Sequence, residues 1–67
     1  MRTLKEARTD KGIKQAAIAN AIGISRQTYA KYENSPDMMP VGKAIAACNY
    51  IGVNLEDVFF GSEGKLN

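Results

Sequence analysis

A chain of 67 residues, 45% apolar and 24% charged, suffices for one small globular domain, and its ordinary apolar content excludes a wholly disordered chain. With no His and a lone Cys48 it offers no internal disulfide, no structural zinc site of about four ligands and no catalytic base–nucleophile pair, so no enzyme, metal or other cofactor is expected. No apolar run approaches the roughly 20 residues of a membrane span, and no signal-peptide pattern opens the chain, so a cytoplasmic protein without membrane contact is expected.

The first helix is predicted over Leu4–Lys11. Thr3 and Glu6 have the spacing of a capping box, in which each side chain accepts a backbone N–H from the other residue. Leu4, Ala7 and Arg8 share a face, which turns Arg8 inward and demands a partner for its charge. Gly12 ends this helix. The second is predicted over Gln15–Ile22, rich in Ala, with Ile18 and Ile22 four apart on one face. Gly23 follows, where a helix commonly ends in a left-handed residue that Gly adopts without penalty. Ile24 then plugs the angle to a third helix over Arg26–Asn34, for which Ser25 is the N-cap. Tyr29, Tyr32 and Glu33 take the inner side of that helix; Arg26, Gln27 and Lys31 lie on others.

Ser35-Pro36-Asp37-Met38-Met39-Pro40 reads as a loop whose two Met residues face outward. A fourth helix begins near Pro40 or Val41, with an apolar stripe of Val41, Ala44, Ile45 and Cys48, and stops at Gly52. Cys48 fits there as a small buried thiol. Asn54 caps a fifth helix over Leu55 to about Phe60. The domain is expected to span residues 1–61, and 62–67 to form a frayed polar tail.

Two helices at a steep angle joined by a short Gly turn form the DNA-reading helix-turn-helix unit. From about Leu4 to Gly61 the chain resembles the Cro/repressor-type (lambda-repressor-like, XRE) helix-turn-helix family of phages and bacteria. The pieces that carry the resemblance are Leu4…Arg8, Lys11-Gly12-Ile13-Lys14-Gln15, Ile18-Ala19…Ile22-Gly23-Ile24-Ser25, Tyr29…Tyr32-Glu33-Asn34 and Ile51-Gly52-Val53-Asn54-Leu55-Glu56-Asp57-Val58-Phe59. Each piece is short; in order and at this spacing they are specific. The resemblance implies an all-α, five-helix lambda-repressor-like domain with the helix-turn-helix at helices 2 and 3. Two departures stand out. Lys14 occupies a position that is often Ser, Thr or Asn in the family, and Ser35–Pro40 lacks the basic Gly-Lys/Arg stretch often found there.

The resemblance further implies a buried ion pair between Arg8 and Glu33, and entry of the third helix into the major groove by its N-terminal residues. Arg26, Gln27 and Lys31 match positions from which family members touch bases. Arg can bind guanine through O6 and N7, and Gln can bind adenine through N6 and N7. Lys31, one turn after Gln27, reaches a base or a phosphate; Thr28 reaches a thymine methyl or a phosphate. Gln15 resembles the family Gln that bonds a backbone phosphate, and Lys14, Ser25 and Asn34 are further candidates for backbone contacts. Charge adds to this picture. The net +2 is uneven, with +4 over residues 1–35, which hold the motif, and −2 over residues 36–67. A basic half of this kind suits a phosphate-facing side.

The expected function is therefore a sequence-specific DNA-binding regulator, a Cro-like repressor on operator half-sites. Its partner is double-stranded DNA, and the expected assembly is a homodimer, with two copies about 34–36 Å apart reading a palindrome. Val53, Val58, Phe59 and Phe60 are the expected dimer surface, because adjacent Phe59 and Phe60 cannot both point into so small a core. A second reading is an interaction module whose main partner is another protein: an antirepressor or modulator of a phage repressor, or an antitoxin. The modest net charge and the loop poor in basic residues speak for it. No small-molecule ligand is expected.

Overall fold

The computed structural model describes residues 2–59; Met1, Phe60, Gly61 and the expected tail at 62–67 lie outside the described residues. The chain opens with a two-residue strand β1 (Arg2–Thr3) and passes straight into α1 (Leu4–Asp10). Thr3 Oγ1 accepts from Glu6 N at 3.1 Å, and Glu6 Oε1 accepts from Thr3 N at 3.0 Å, which completes the capping box. The helix-turn-helix follows as α2 (Gln15–Ala21) and α3 (Arg26–Asn34).

At the end of α2, Gly23 takes φ +80°, and the N–H groups of Gly23 and Ile24 reach back to the carbonyls of Asn20 and Ala19. These two bonds satisfy carbonyls that the helix end would leave bare, and they set the angle at which the chain enters α3. Lys43 adds a third contact there: its ammonium donates to the Ile22 carbonyl at 2.8 Å. A cation at the negative end of a helix is favourable, and here it ties α4 (Val41–Ile51) to the turn.

The core is assembled from Leu4 and Ala7 of α1, Ile18 and Ala19 of α2, Ile22 after it, Tyr29 of α3, Met39, and Ala44, Ala47, Cys48 and Ile51 of α4, with Val58 closing it. Ile13, Ile24, Tyr32, Ala46 and Val53 pack against its margin. Cys48 is a free buried thiol whose pKa burial pushes up, so it stays neutral and inert.

Several expectations are corrected. α4 buries Ala44, Ala47, Cys48 and Ile51, a stripe at spacings of three and four, and leaves Val41 and Ile45 exposed. Apolar residues surround this helix, so periodicity alone could not choose its inner side. The loop after α3 contains one 3-10 turn, Pro36–Met38. Its two Met residues part company, because Met38 is exposed while Met39 drops into the core.

The fifth helix reduces to a single 3-10 turn, Leu55–Asp57, so the described residues hold four α-helices. Asn54 makes no capping bond to that turn. Val58–Phe59 is then extended, forming strand β2, which pairs in parallel with β1 in the register Arg2 to Val58 and Thr3 to Phe59. The backbone hydrogen bonds that a helix would have made internally are made across the molecule instead, joining the start of the domain to residues 58 and 59. Val58 is fully buried, which removes it from the expected dimer surface, and Val53 is half-buried against the core. Among the described residues, no helix is long and apolar enough to cross a membrane.

Candidate nucleic-acid interface

The start of α3 is fixed by Ser25. Its backbone is extended, and its Oγ accepts from Thr28 N at 3.1 Å, which supplies the cap. The same hydroxyl donates to Thr28 Oγ1 at 2.9 Å. Thr28 is half-buried, and its hydroxyl oxygen accepts that bond, which does not consume its own O–H. Arg26 and Gln27, the first two helical residues, are exposed, and so is Lys31. Gln27 and Lys31 are four apart, so they stand on one stripe of the helix, with Arg26 beside them. These groups are a guanidinium, a carboxamide and an ammonium. All donate hydrogen bonds, as base-edge acceptors and phosphate oxygens require.

The opposite side of α3 is organised around one carboxylate. Glu33 Oε2 accepts from Arg8 Nε at 2.6 Å and from the Tyr29 hydroxyl at 2.6 Å. Glu33 Oε1 accepts from Arg8 Nη2 at 3.2 Å and from Gln15 Nε2 at 2.9 Å. The remaining Arg8 nitrogen, Nη1, donates to the Ile13 carbonyl at 2.7 Å. The side chains of Arg8 and Glu33 are only 9% and 3% exposed, so the pair sits in a medium where an unpaired charge would be costly. No buried side-chain nitrogen or oxygen among the described residues lacks a partner.

The electrostatic result follows from that geometry. Burial pushes the Glu33 carboxyl upward, but the bonds donated by Arg8, Tyr29 and Gln15 outweigh it and hold the group below the usual carboxylate range. Hydrogen bonding to Glu33 raises Arg8 further above its already high value, against the opposing effect of burial. Tyr29 is raised by burial and by the carboxylate it donates to, so its hydroxyl keeps its proton. The cluster is locked in a charged, fully bonded state across the neutral range.

Sequence reasoning did not foresee Tyr29 as a donor, Gln15 as the Glu33 partner or Lys43 at the turn. One signal was present: Tyr29 precedes Glu33 by four residues, the spacing at which helix neighbours meet. Gln15, expected on a phosphate, is half-buried and gives a hydrogen of its amide to Glu33. Lys14 is exposed at the mouth of α2, with extended backbone and no capping bond from its side chain. Asn34 is exposed at the far end of α3, where it lines an open groove with Lys31, Tyr32, Ser35 and Met38. Arg8, Gln15, Tyr29 and Glu33 are thus drawn into one buried cluster, while Lys14, Ser25, Arg26, Gln27, Lys31 and Asn34 remain at the surface.

A profile of the helix-turn-helix family matches residues 4–58, most of the chain. The chain is also 34% identical over 67 residues to the SPbeta prophage-derived uncharacterized HTH-type transcriptional regulator YonR of Bacillus subtilis (strain 168). That alignment takes in 96% of this chain and 59% of the relative, so the chain spans little more than half of the relative's length. No solved structure matches it.

Proposed function

Because the chain belongs to the helix-turn-helix family, we propose that it is a sequence-specific DNA-binding transcriptional regulator, a Cro-like repressor of prophage type acting in the cytoplasm. The observation that carries this reading is α3 itself: its exposed side offers Arg26, Gln27 and Lys31, while its inner side is bolted to α1 and α2 through Glu33. Base readout needs donors held on a rigid support, because a loose side chain loses in ordering entropy what it gains in contact.

In this reading α3 lies in the major groove. Arg26 and Gln27 read base edges and Lys31 reaches a base or a phosphate. Thr28 offers its methyl to a thymine or its O–H to a phosphate. Lys14, Ser25 and Asn34 touch the backbone. Gln15 keeps a second amide hydrogen for a phosphate while the first is held by Glu33. Two copies on a palindrome complete the site, and no catalytic step is involved.

The test is a protection footprint on the DNA flanking the gene that encodes this chain, at physiological salt. A protected palindrome of two half-sites, one helical turn apart, is expected. If the purified chain protected no sequence above a random-DNA background, the reading would be rejected.

A further inference from the structure

The turn between α2 and α3 hinges on Gly23, which has no Cβ to narrow its dihedrals. One side chain from outside the motif reaches that hinge. Lys43 of α4 is half-buried; its Nζ donates to the Ile22 carbonyl at 2.8 Å and stands 3.9 Å from the place a Cβ on Gly23 would take. Among the described residues this is the one hydrogen bond that the Ile22 carbonyl accepts. We propose that Lys43 is a positioning residue for DNA readout: by fixing the peptide between Ile22 and Gly23, it sets the direction in which α3 presents Arg26 and Gln27. The proposal rests on the reading of α3 as the helix that contacts bases.

A peptide unit is planar, so a carbonyl held in place holds the whole unit and leaves motion only at the dihedrals on either side. With the unit between residues 22 and 23 fixed, Gly23 and Ile24 are the last residues before Ser25 opens α3. The bonds between Ser25 and Thr28 lie within the start of α3 and move with it, so they do not orient it. From Tyr29 onward the helix is held by the core and by the bonds around Glu33. Arg26 and Gln27 precede that region, and their place depends on the turn.

The turn is held from two directions. The N–H groups of Gly23 and Ile24 tie it back to α2, and Lys43 ties it to α4, a separate element that packs on α2. The Lys43 bond is charge-assisted and lies at the negative end of α2, where a cation is favoured. Lys is mostly an exposed residue, and here it is half-buried with its ammonium committed inside the protein. Recognition groups act together only when held to within about 0.5 Å and 10–20°, so a turn braced on one side alone would blur the place of the base-reading donors.

The experiment uses the full chain with Lys43→Met, which keeps the unbranched stem and removes the donor, and Lys43→Arg, which keeps a cationic donor. The first measurement needs no DNA: residual dipolar couplings give the angle between α2 and α3, at a temperature where circular dichroism shows each variant folded. Lys43→Met should shift that angle by about 10° or spread it over a range, and Lys43→Arg should restore it. If Lys43→Met does not fold, Lys43→Gln, which keeps a neutral donor on a shorter stem, takes its place with the same expectation. The second measurement is affinity for the footprinted site and for random DNA across a salt series. Lys43→Met should lose about tenfold on the site, the size of one impaired bidentate base contact, with little loss on random DNA and an unchanged salt slope. Equal losses on both DNAs with a slope reduced by about 1 would make Lys43 a phosphate contact and overturn the proposal. An unchanged angle, an unchanged preference for the site, or an Arg variant that falls with the Met variant would overturn it too. Wild type with no preferred site rejects the DNA-binding reading, while the DNA-free angle still decides whether Lys43 orients α3.

Discussion

The two sides of α3 are built on opposite terms. On one side Arg26, Gln27 and Lys31 stand exposed with no bond to another side chain among the described residues; on the other Tyr29 and Glu33 have no freedom left. The inner side draws on four parts of the chain at once: α1 through Arg8, the α1–α2 turn through the Ile13 carbonyl, α2 through Gln15 and α3 itself. The contrast teaches a division of labour. The buried bonds hold α3 in place from its inner side, and in the proposed reading they leave the exposed side free to meet DNA. Substitutions on the inner side should act on stability first, and those on the outer side on affinity alone.

The largest effect should come from Glu33→Ala. It leaves the Arg8 guanidinium buried and unpaired, so a loss of about 3–5 kcal/mol in denaturant unfolding is expected. An unchanged midpoint would erase the distinction between the two sides. The same residue predicts a pH dependence. Its folded-state pKa lies below the unfolded one, so its contribution is whole at neutral pH. That contribution should fade as pH drops below about 4.3, the usual value for Glu, and through the lower folded value. Glu33→Gln should flatten this acid limb of the stability curve, as followed by circular dichroism. Tyr29→Phe removes one donor to the carboxylate and nothing else; about 1.5–3 kcal/mol of stability should go with it.

On the outer side, Arg26→Ala and Gln27→Ala should each cost about 1–3 kcal/mol of binding to the specific site and relax one base position, with the thermal midpoint unchanged. Equal losses on specific and random DNA would remove either residue from base reading. Lys14→Ala should have the smallest effect. It should weaken all sequences alike and reduce the slope of log affinity against log salt by about 1. A sequence-dependent loss there would move Lys14 from backbone contact to base readout.

Much of the domain was legible because local rules dominate it. The capping box at Thr3 and Glu6, the Gly23 turn and the Ser25 cap each depend on a few neighbouring residues, and each stands as those neighbours dictate. Arg8 and Glu33 could be suspected as partners from their inward faces and the family resemblance, and the structure brings them to 2.6 Å. Tyr29, by contrast, read simply as core. Its hydroxyl goes to Glu33 because the surrounding packing leaves it no water to bond.

Where composition offered several equivalent answers, the residues alone left the choice open. α4 could have turned Val41 and Ile45 inward, but the core already filled by Ile18, Tyr29 and Met39 accepts the smaller face of Ala44, Ala47 and Cys48. Likewise Val58 and Phe59 had the look of a helix end until the strand Arg2–Thr3 came within pairing distance. Element identity, caps and the exposed face of α3 follow from short-range chemistry, which a chain carries with it wherever it folds. The inner side of α4, the closing strand pair and the donors around Glu33 depend on contacts between residues far apart in the chain. Those contacts exist only once the helices have met.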